Sequence, residues 1–168
     1  VWLEPGAHAA SRALSGVRDV LIDAFDVLAP CTHQAACPLL APEHGKDWCH
    51  AFARPPREVF TDSSWARFGQ HLGIDLRSVP YAFLVLRRKD VASATAPGAD
   101  LDRFLGRPRI EKGRALVDAC GKDGLRALRL LERDDRATYA RLAEPAGESL
   151  LYALQVENGR IRSARRTT

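Results

Sequence analysis

The chain has 168 residues and a formal net charge of +4; 46% of its residues are hydrophobic and 27% are charged. This length can bury the core of one domain, and the composition is that of an ordinary globular protein rather than a disordered chain. There is no apolar run long enough to cross a bilayer and no basic leader before the opening Val1-Trp2-Leu3, so we expect no membrane partner and no export signal.

The excess positive charge is carried mostly by arginine, whose planar guanidinium group suits phosphate. Two interpretations of this charge remain open. One is a nucleic-acid partner, and the other is a solvated, arginine-rich surface without a specific ligand.

The first thirty residues alternate between strand and helix patterns. Residues 1–3 predict a short buried strand, which the turn at 4–6 ends because proline and glycine do not continue a strand. Apolar residues recur at three- and four-residue steps over 8–25 and predict an amphipathic helix, and residues 26–29 predict a second strand. Strand, helix and strand in this order predict a right-handed βαβ unit with parallel strands.

The middle of the chain carries clear boundary signals. Asp62 or Ser63 can cap a helix over 64–72, which Gly73 ends. The apolar run over 79–86 then predicts a strand.

The remaining residues predict a β-rich region. Small residues over 91–100 favour a flexible connection, and residues 115–131 predict a β-hairpin with a turn at Asp123-Gly124. A last helix or strand pair is expected over 139–156. The arginines after residue 158 predict a basic tail that is either disordered or RNA-binding, and we expect disorder.

Three of the four cysteines, Cys31, Cys37 and Cys49, lie in a segment rich in proline and histidine that is too broken for a helix or a strand. The expected lack of export favours thiols over disulfides, and clustered thiols in a reducing compartment are more often metal ligands than bridges. We therefore predict a metal-binding loop over residues 30–50, with the distant Cys120 as the fourth ligand.

The spacing of the cysteines leaves the metal open. Structural zinc sites usually contain Cys-x-x-Cys pairs, which this chain lacks. Iron–sulfur clusters tolerate wider spacing. Zinc bound by the three loop cysteines and either Cys120 or a histidine, His33 or His50, remains an alternative, as do unliganded thiols. For both histidines the simpler interpretation is hydrogen bonding within the loop.

Several ordered motifs carry a family resemblance. They include Leu3-Glu4-Pro5-Gly6, Arg18-Asp19, Ala29-Pro30-Cys31-Thr32-His33, Cys37-Pro38, Trp48-Cys49-His50, Arg54-Pro55-Pro56-Arg57, Tyr81-Ala82-Phe83-Leu84, Arg107-Pro108-Arg109, Lys112-Gly113 and Cys120-Gly121-Lys122-Asp123-Gly124. With them the chain resembles, up to about Tyr139, the Rsm methyltransferase-like family of the mitochondrial small ribosomal subunit, which also occurs in bacteria.

The resemblance implies a Rossmann-like, S-adenosylmethionine-dependent fold that acts on the small ribosomal subunit, as an rRNA methyltransferase or as an assembly factor. It also implies a four-iron four-sulfur cluster, which by order falls on Cys31, Cys37, Cys49 and Cys120. The implied location is the cytoplasm in bacteria and the mitochondrial matrix in eukaryotic relatives.

This chain departs from the family pattern because it contains no G-x-G-x-x-G loop. In the family that loop belongs to an N-terminal half, so we expect the missing half of the same fold to be a partner of this chain. Only Glu4 and Pro5 are expected to remain at the edge of a cofactor pocket. Methyl transfer requires a held cofactor, so the chain alone is expected to be inactive.

The predicted fold class is therefore α/β, the C-terminal half of a Rossmann-like methyltransferase sheet with a cysteine metal loop and a C-terminal β-hairpin. The predicted division is 1–90 for the Rossmann-like part, 91–156 for a linker and a β-rich extension carrying Cys120, and 157–168 for the basic tail. The alternative is an RNA-binding or structural module that is held together by zinc and has no catalytic activity. The residues expected to contact small-subunit ribosomal RNA through its phosphates are Arg54, Arg57, Arg87, Arg88, Lys89, Arg107, Arg109 and Lys112.

Overall fold

The computed structural model describes residues 1–91, 100–144 and 150–167, which form a small sheet followed by a closed barrel. The strands are β1 (Trp2–Pro5), β2 (Phe25–Ala29), β3 (Ala51–Phe52), β4 (Pro80–Arg88), β5 (Asp102–Glu111), β6 (Arg114–Gly121), β7 (Gly124–Leu131), β8 (Leu151–Glu157) and β9 (Arg160–Arg166). The α-helices are α1 (His8–Leu21), α2 (Glu58–Thr61), α3 (Ser63–Leu72) and α4 (Arg136–Ala143). Within these three segments, no helix is both long and apolar enough to cross a membrane.

The sheet is built around β4, which pairs antiparallel with β1, β2 and β3. Its strand order is β1-β4-β2, and β3 pairs with the first residues of β4. Helix α1 packs on this sheet, and the buried side chains between them are Leu14, Val27, Ala82 and Leu84. The segment between β2 and β3, residues 30–50, is the cysteine loop.

The barrel contains the five strands β5 to β9 in the order β5-β6-β7-β9-β8, and pairing between β5 and β8 closes it. All strand pairs are antiparallel except β7 and β9, which run parallel. Its core is separate from that of the sheet. The core consists of Phe104, Ala115, Val117, Ala119, Leu128, Leu130, Leu142, Tyr152 and Ile161.

The predicted α/β, Rossmann-like fold class is wrong, because the chain is mostly β and contains a closed five-stranded barrel. Strands β1 and β2 do run in the same direction, as the strand-helix-strand pattern predicted. They do not pair, however, because β4 lies between them and is antiparallel to both. The strand-helix-strand pattern is local, so it could not predict that β4, which begins about fifty residues after β2 ends, lies between the two strands.

Several local predictions are confirmed. Asp62 caps α3 by accepting a hydrogen bond from the backbone N–H of Ser64 (2.8 Å), and Gly73 ends the helix with φ of 68°. The predicted hairpin is present as β6 and β7, although it belongs to the barrel. All but the two ends of the predicted connection over 91–100 lies outside the described residues.

The expectation that the basic tail is disordered is wrong, because residues 160–166 form β9 between β7 and β8. The strand follows from its alternation. Ile161 points into the barrel and is fully buried, whereas its neighbour Arg162 is exposed and bonds the carboxylate of Glu157 (2.7 Å). Burial of Ile161 and backbone pairing with β7 and β8 therefore stabilise the strand despite the charge of its arginines.

Candidate metal centre

The cysteine loop is held by polar side chains on one face of α1. Arg12 donates from one guanidinium nitrogen to the backbone carbonyls of Leu39 (2.5 Å), His44 (3.0 Å) and Asp47 (3.1 Å). The hydroxyl of Ser11 donates to the carbonyl of Cys49. These bonds replace the regular pairing that the loop lacks and fix it against the helix.

Two further contacts fix the first half of the loop. Both carboxylate oxygens of Asp19 accept from the backbone N–H of Cys37, at 2.9 and 3.1 Å. The side-chain amide of Gln34 bonds both backbone groups of Val27 in β2, at 2.8 and 2.9 Å. The chain between Cys31 and Cys37 therefore has a defined path beside the helix.

All four cysteines line a single cavity of about 40 Å³, between α1, the cysteine loop, β4 and β6. Cys31, Cys37 and Cys49 come from the loop, and Cys120 comes from the barrel. Pockets that bind organic ligands are about 300–1,000 Å³, so this cavity suits a few atoms rather than a nucleotide or S-adenosylmethionine. We call it the cysteine cavity.

Cys31, Cys49 and Cys120 are buried close to other thiols, and both effects raise their pKa values. The pKa of Cys120 is raised to about 12, chiefly by burial and to a smaller extent by the neighbouring Cys31 and Cys37. Burial also raises the pKa of Cys49, with further contributions from Cys31 and Cys120, and it raises the pKa of Cys31 itself. In the absence of a cation these three sulfurs therefore stay protonated, and a bound metal would displace their protons.

Arg18 of α1 supplies a positive charge at the cavity wall and is only 2% exposed. Its two terminal nitrogens bond the carboxylate of Asp19 (2.5 Å) and the backbone carbonyl of His33 (2.9 Å). Its Nε is buried and has no hydrogen-bond partner. A buried donor without a partner costs about 1–3 kcal/mol, so an acceptor in the cavity would stabilise this arrangement.

The barrel meets the sheet beside the cavity. Arg103 of β5 donates from Nε to the carbonyl of Pro30 (2.5 Å). Burial lowers the pKa of Arg103, and the nearby Cys49 and Cys31 oppose this shift only in part. The backbone N–H of Gly106 donates to the carbonyl of His50 (3.4 Å). Protein contacts alone therefore bring Cys120 to the loop.

Of the two histidines considered as ligands, His50 makes a hydrogen bond within the loop, as the simpler interpretation predicted, whereas His33 contacts Cys120 of the barrel and its Nδ1 is buried without a hydrogen-bond partner. The Nε2 atom of His33 lies 3.7 Å from Sγ of Cys120, and burial lowers the pKa of His33. The Nδ1 atom of His50 lies 3.1 Å from the carbonyl of Trp48, whose ring stacks on the imidazole. Across the described ranges, no three His, Cys, Asp or Glu side chains form a group that could hold a metal ion.

The residues proposed for a cofactor pocket lie elsewhere. Glu4 and Pro5 are in β1, and neither lines the cysteine cavity. The carboxylate of Glu4 accepts from Nε1 of Trp2 (2.6 Å), and Pro5 is exposed.

The residues predicted to contact RNA fall into three groups. The first group follows β3 or packs on it and contains Arg54, Arg57 and Arg107, the last lying 4.2 Å over the ring of Phe52. The second group is at the opposite end of β4 and contains Arg87, Arg88 and Lys89. The third group is at the β5–β6 turn and contains Arg109 and Lys112.

The first two groups are separated by the length of β4, about 26 Å for its nine residues. Several members also have acidic partners. Arg87 bonds Asp26 (2.8 Å), and Arg88 bonds Asp90 (2.5 Å). The predicted set is therefore not one continuous surface.

Sequence reasoning missed the buried polar side of α1. Ser11, Ser15 and Arg18 are all buried and recur at steps of four and three, which places them on one helix face. That stripe was present in the sequence, but charged residues of an amphipathic helix are usually solvated, so the amphipathic pattern gave no sign that Arg18 is buried. The pattern that could have revealed it is a polar stripe beside an apolar one.

Fold and cavity together define a β-rich protein in which a helix-supported cysteine loop and a barrel cysteine share one buried cavity. The chain belongs to the family described as mitochondrial small ribosomal subunit Rsm22, a ribosome-related, methyltransferase-like family whose sequence model matches residues 1–144. A search of curated proteins gave no match.

Proposed function

We propose that this chain is part of an assembly factor of the small ribosomal subunit and that it binds a four-iron four-sulfur cluster. The ligands of the cluster are Cys31, Cys37, Cys49 and Cys120. The observation that carries the proposal is the shared cavity: three thiols from the loop and one from the barrel line it together. When bound, the cluster supplies four metal–thiolate bonds that join the cysteine loop to the barrel.

The donor set favours a cluster over a zinc ion. A tetrahedral zinc ion requires every sulfur at about 2.3 Å from one point, and the described residues contain no group arranged for one ion. In a cluster each thiolate binds a different iron, so the sulfurs can lie further apart while sharing a cavity. The guanidinium of Arg18, with its unpartnered Nε, is suited to the net negative charge of a four-thiolate cluster.

The test is anaerobic purification followed by iron, sulfide and zinc analysis and a visible spectrum. We expect about four iron and four sulfide per chain, and loss of both in Cys→Ser variants at the four positions. His33→Gln is the matched control, because His33 lines the same cavity without serving as a ligand in this proposal. One zinc per chain with no visible absorption would contradict the proposal, and zinc lost from His33→Gln would identify a histidine ligand instead.

The proposed partner is small-subunit ribosomal RNA, bound through its phosphates in a mitochondrial matrix or bacterial cytoplasmic setting. Support comes from the family description and from the basic surface. Arg54 and Arg57 are exposed, and neither side chain makes an ion pair within the described part of the chain. They are therefore better placed for phosphate than Arg87, which is bound to Asp26.

Cosedimentation with small ribosomal subunits at several salt concentrations tests this partner. We expect Arg54→Ala/Arg57→Ala to weaken association and to reduce its salt dependence. Arg67→Ala on the exposed face of α3 is the control. Equal association of the wild type and the Arg54/Arg57 variant would refute the assignment of these two residues.

For the full-length protein we propose S-adenosylmethionine as a ligand of the parts beyond this chain, with Glu4 and Pro5 at the pocket edge. The cysteine cavity is too small for that cofactor, so the two sites are separate. Calorimetric titration of the full-length protein with S-adenosylmethionine should give the same affinity for wild type and Cys120→Ser. Loss of cofactor binding in Cys120→Ser would contradict two separate sites.

A further inference from the structure

The barrel has a topology associated with oligonucleotide binding. Its strand order β5-β6-β7-β9-β8, the parallel pairing of its third and fifth strands, and a helix between its third and fourth strands define the OB-fold. OB-folds bind single-stranded nucleic acids on the face of the second and third strands, between the loop joining strands 1 and 2 and the loop joining strands 4 and 5. Here these are β6 and β7, the turn at 112–113 and the turn at 158–159.

Both turns lie at one end of β7. The backbone N–H of Glu132 donates to the carbonyl of Gly113 (3.0 Å), and the backbone N–H of Arg129 donates to the carbonyl of Gly159 (3.0 Å). A groove of about 730 Å³ opens beside the first turn and is lined by Gly113, Leu131, Glu132, Arg133 and Arg136. We call this region the turn end of the barrel.

The opposite end of the same strand face is covered. Cys120 of β6 points into the cysteine cavity, and the 3₁₀ turn Pro38–Leu40 of the cysteine loop contacts β7. A strand of nucleic acid cannot cross the whole face as it does in an uncovered OB-fold. Among the residues that the structure describes, the turn end is therefore the part of this face that is open to a ligand.

The turn end is basic. Eight arginine or lysine side chains lie there against five carboxylates. The basic residues are Arg109, Lys112, Arg114, Arg129, Arg133, Arg136, Arg160 and Arg162, and the carboxylates are those of Glu111, Glu132, Asp134, Asp135 and Glu157. Five of the arginines pair with these carboxylates, Arg160 doing so through two bonds of 2.5 Å to Asp134. Lys112, Arg129 and Arg133 are exposed and make no side-chain hydrogen bond or ion pair within the described residues.

We propose that the turn end of the barrel binds single-stranded RNA through its phosphates, with Lys112, Arg129 and Arg133 as the contacting side chains. The site deepens the proposed RNA partner and rests on it for the source of the RNA. The sequences of β6 and β7 contain no aromatic residue on which a base could stack. Binding is therefore tolerant of sequence and strongly dependent on salt.

The test uses the metal-loaded chain and a fluorescent single-stranded RNA 12-mer, with anisotropy measured at several salt concentrations. In Lys112→Ala/Arg129→Ala we expect affinity to fall about tenfold and the slope of log K against log salt to become shallower by about 1.4, because each lost phosphate contact removes about 0.7. Lys46→Ala/Arg67→Ala removes the same charge from exposed positions outside the barrel and should leave affinity and slope unchanged. Unaltered urea midpoints establish that both variants are folded.

Equal loss in the two double variants would overturn the proposal, because it would identify a general charge effect. Tighter binding of a duplex RNA than of the single-stranded 12-mer would also overturn the proposal, because the site is proposed for single strands. Subunit cosedimentation separates the two proposals. If the barrel variant loses RNA while the wild type does not associate with subunits, the ribosomal partner fails and the barrel site stands.

Discussion

Replacing Cys120 by serine removes the one proposed ligand that the barrel contributes and leaves the three loop cysteines in place. Serine has nearly the same shape, so the chain without metal loses little beyond the weak contact between Cys120 and Nε2 of His33. We expect a change below about 1 kcal/mol in the metal-free unfolding free energy. The metal-loaded chain should respond much more strongly.

The expected size follows from the chain that the fourth ligand closes. Cys49 and Cys120 are 71 positions apart, and cross-linking a loop of that length restricts the unfolded chain by about 4 kcal/mol. For a protein of this size each kcal/mol corresponds to roughly 2–4 °C in Tm. The loaded Cys120→Ser chain should therefore melt roughly 8–16 °C below the loaded wild type.

Calorimetric melting of wild type and Cys120→Ser, each with and without metal, measures the difference directly. Iron and sulfide content is determined on the same samples. If the two loaded proteins melt within about 2 °C of each other while the variant keeps its full iron content, Cys120 is not a ligand and the staple does not exist.

Arg18→Met should lower the metal-free unfolding free energy by about 3 kcal/mol in urea titrations, because it removes the charged partner of the partly buried Asp19 carboxylate, which keeps the N–H of Cys37, and the side-chain donor to the carbonyl of His33. An unchanged midpoint would contradict this. Gly6→Ala should lower the free energy of unfolding by about 1–3 kcal/mol, because the added Cβ would lie 2.6 Å from the backbone of β4. Gly16→Ala should raise the free energy of unfolding, because its Cβ would meet no atom within 4 Å and alanine favours the helix. The hydrogen bond from Arg160 lowers the pKa of Asp134 below its usual value of 3.8, so Asp134→Asn should be less stable than wild type at pH 7. The difference should begin to shrink as the pH falls below 3.8 and vanish once the pH is below the lowered pKa, which acid titration of the urea midpoint would measure.

Local elements were predictable because their signals are local. The cap at Asp62, the stop at Gly73 and the hairpin turn at Asp123-Gly124 each depend on a few adjacent residues. The grouping of the four cysteines was also expected, since unpaired clustered thiols have few other uses in a reducing compartment.

The sheet order and the barrel were not predictable in the same way. Strand β4 enters between β1 and β2 from far along the chain, and β9 looks like a solvated basic tail until β7 and β8 pair with it. Such strand pairings depend on packing between residues far apart in the sequence, and the spacing of apolar residues within one segment does not predict them. The role of Arg18 was hidden for a similar reason, because its burial depends on a loop that lies outside its own helix.

The closure of the barrel also has a consequence for the order of events during synthesis. Strand β5 needs β8, and β7 needs β9, so the barrel cannot close before Arg166 has been made. Cys49 and Arg166 are 117 positions apart, which corresponds to roughly 6–23 s of translation at about 5–20 residues per second. During that interval the nascent chain carries the three loop thiols, while the fourth, Cys120, is not yet held by a closed barrel.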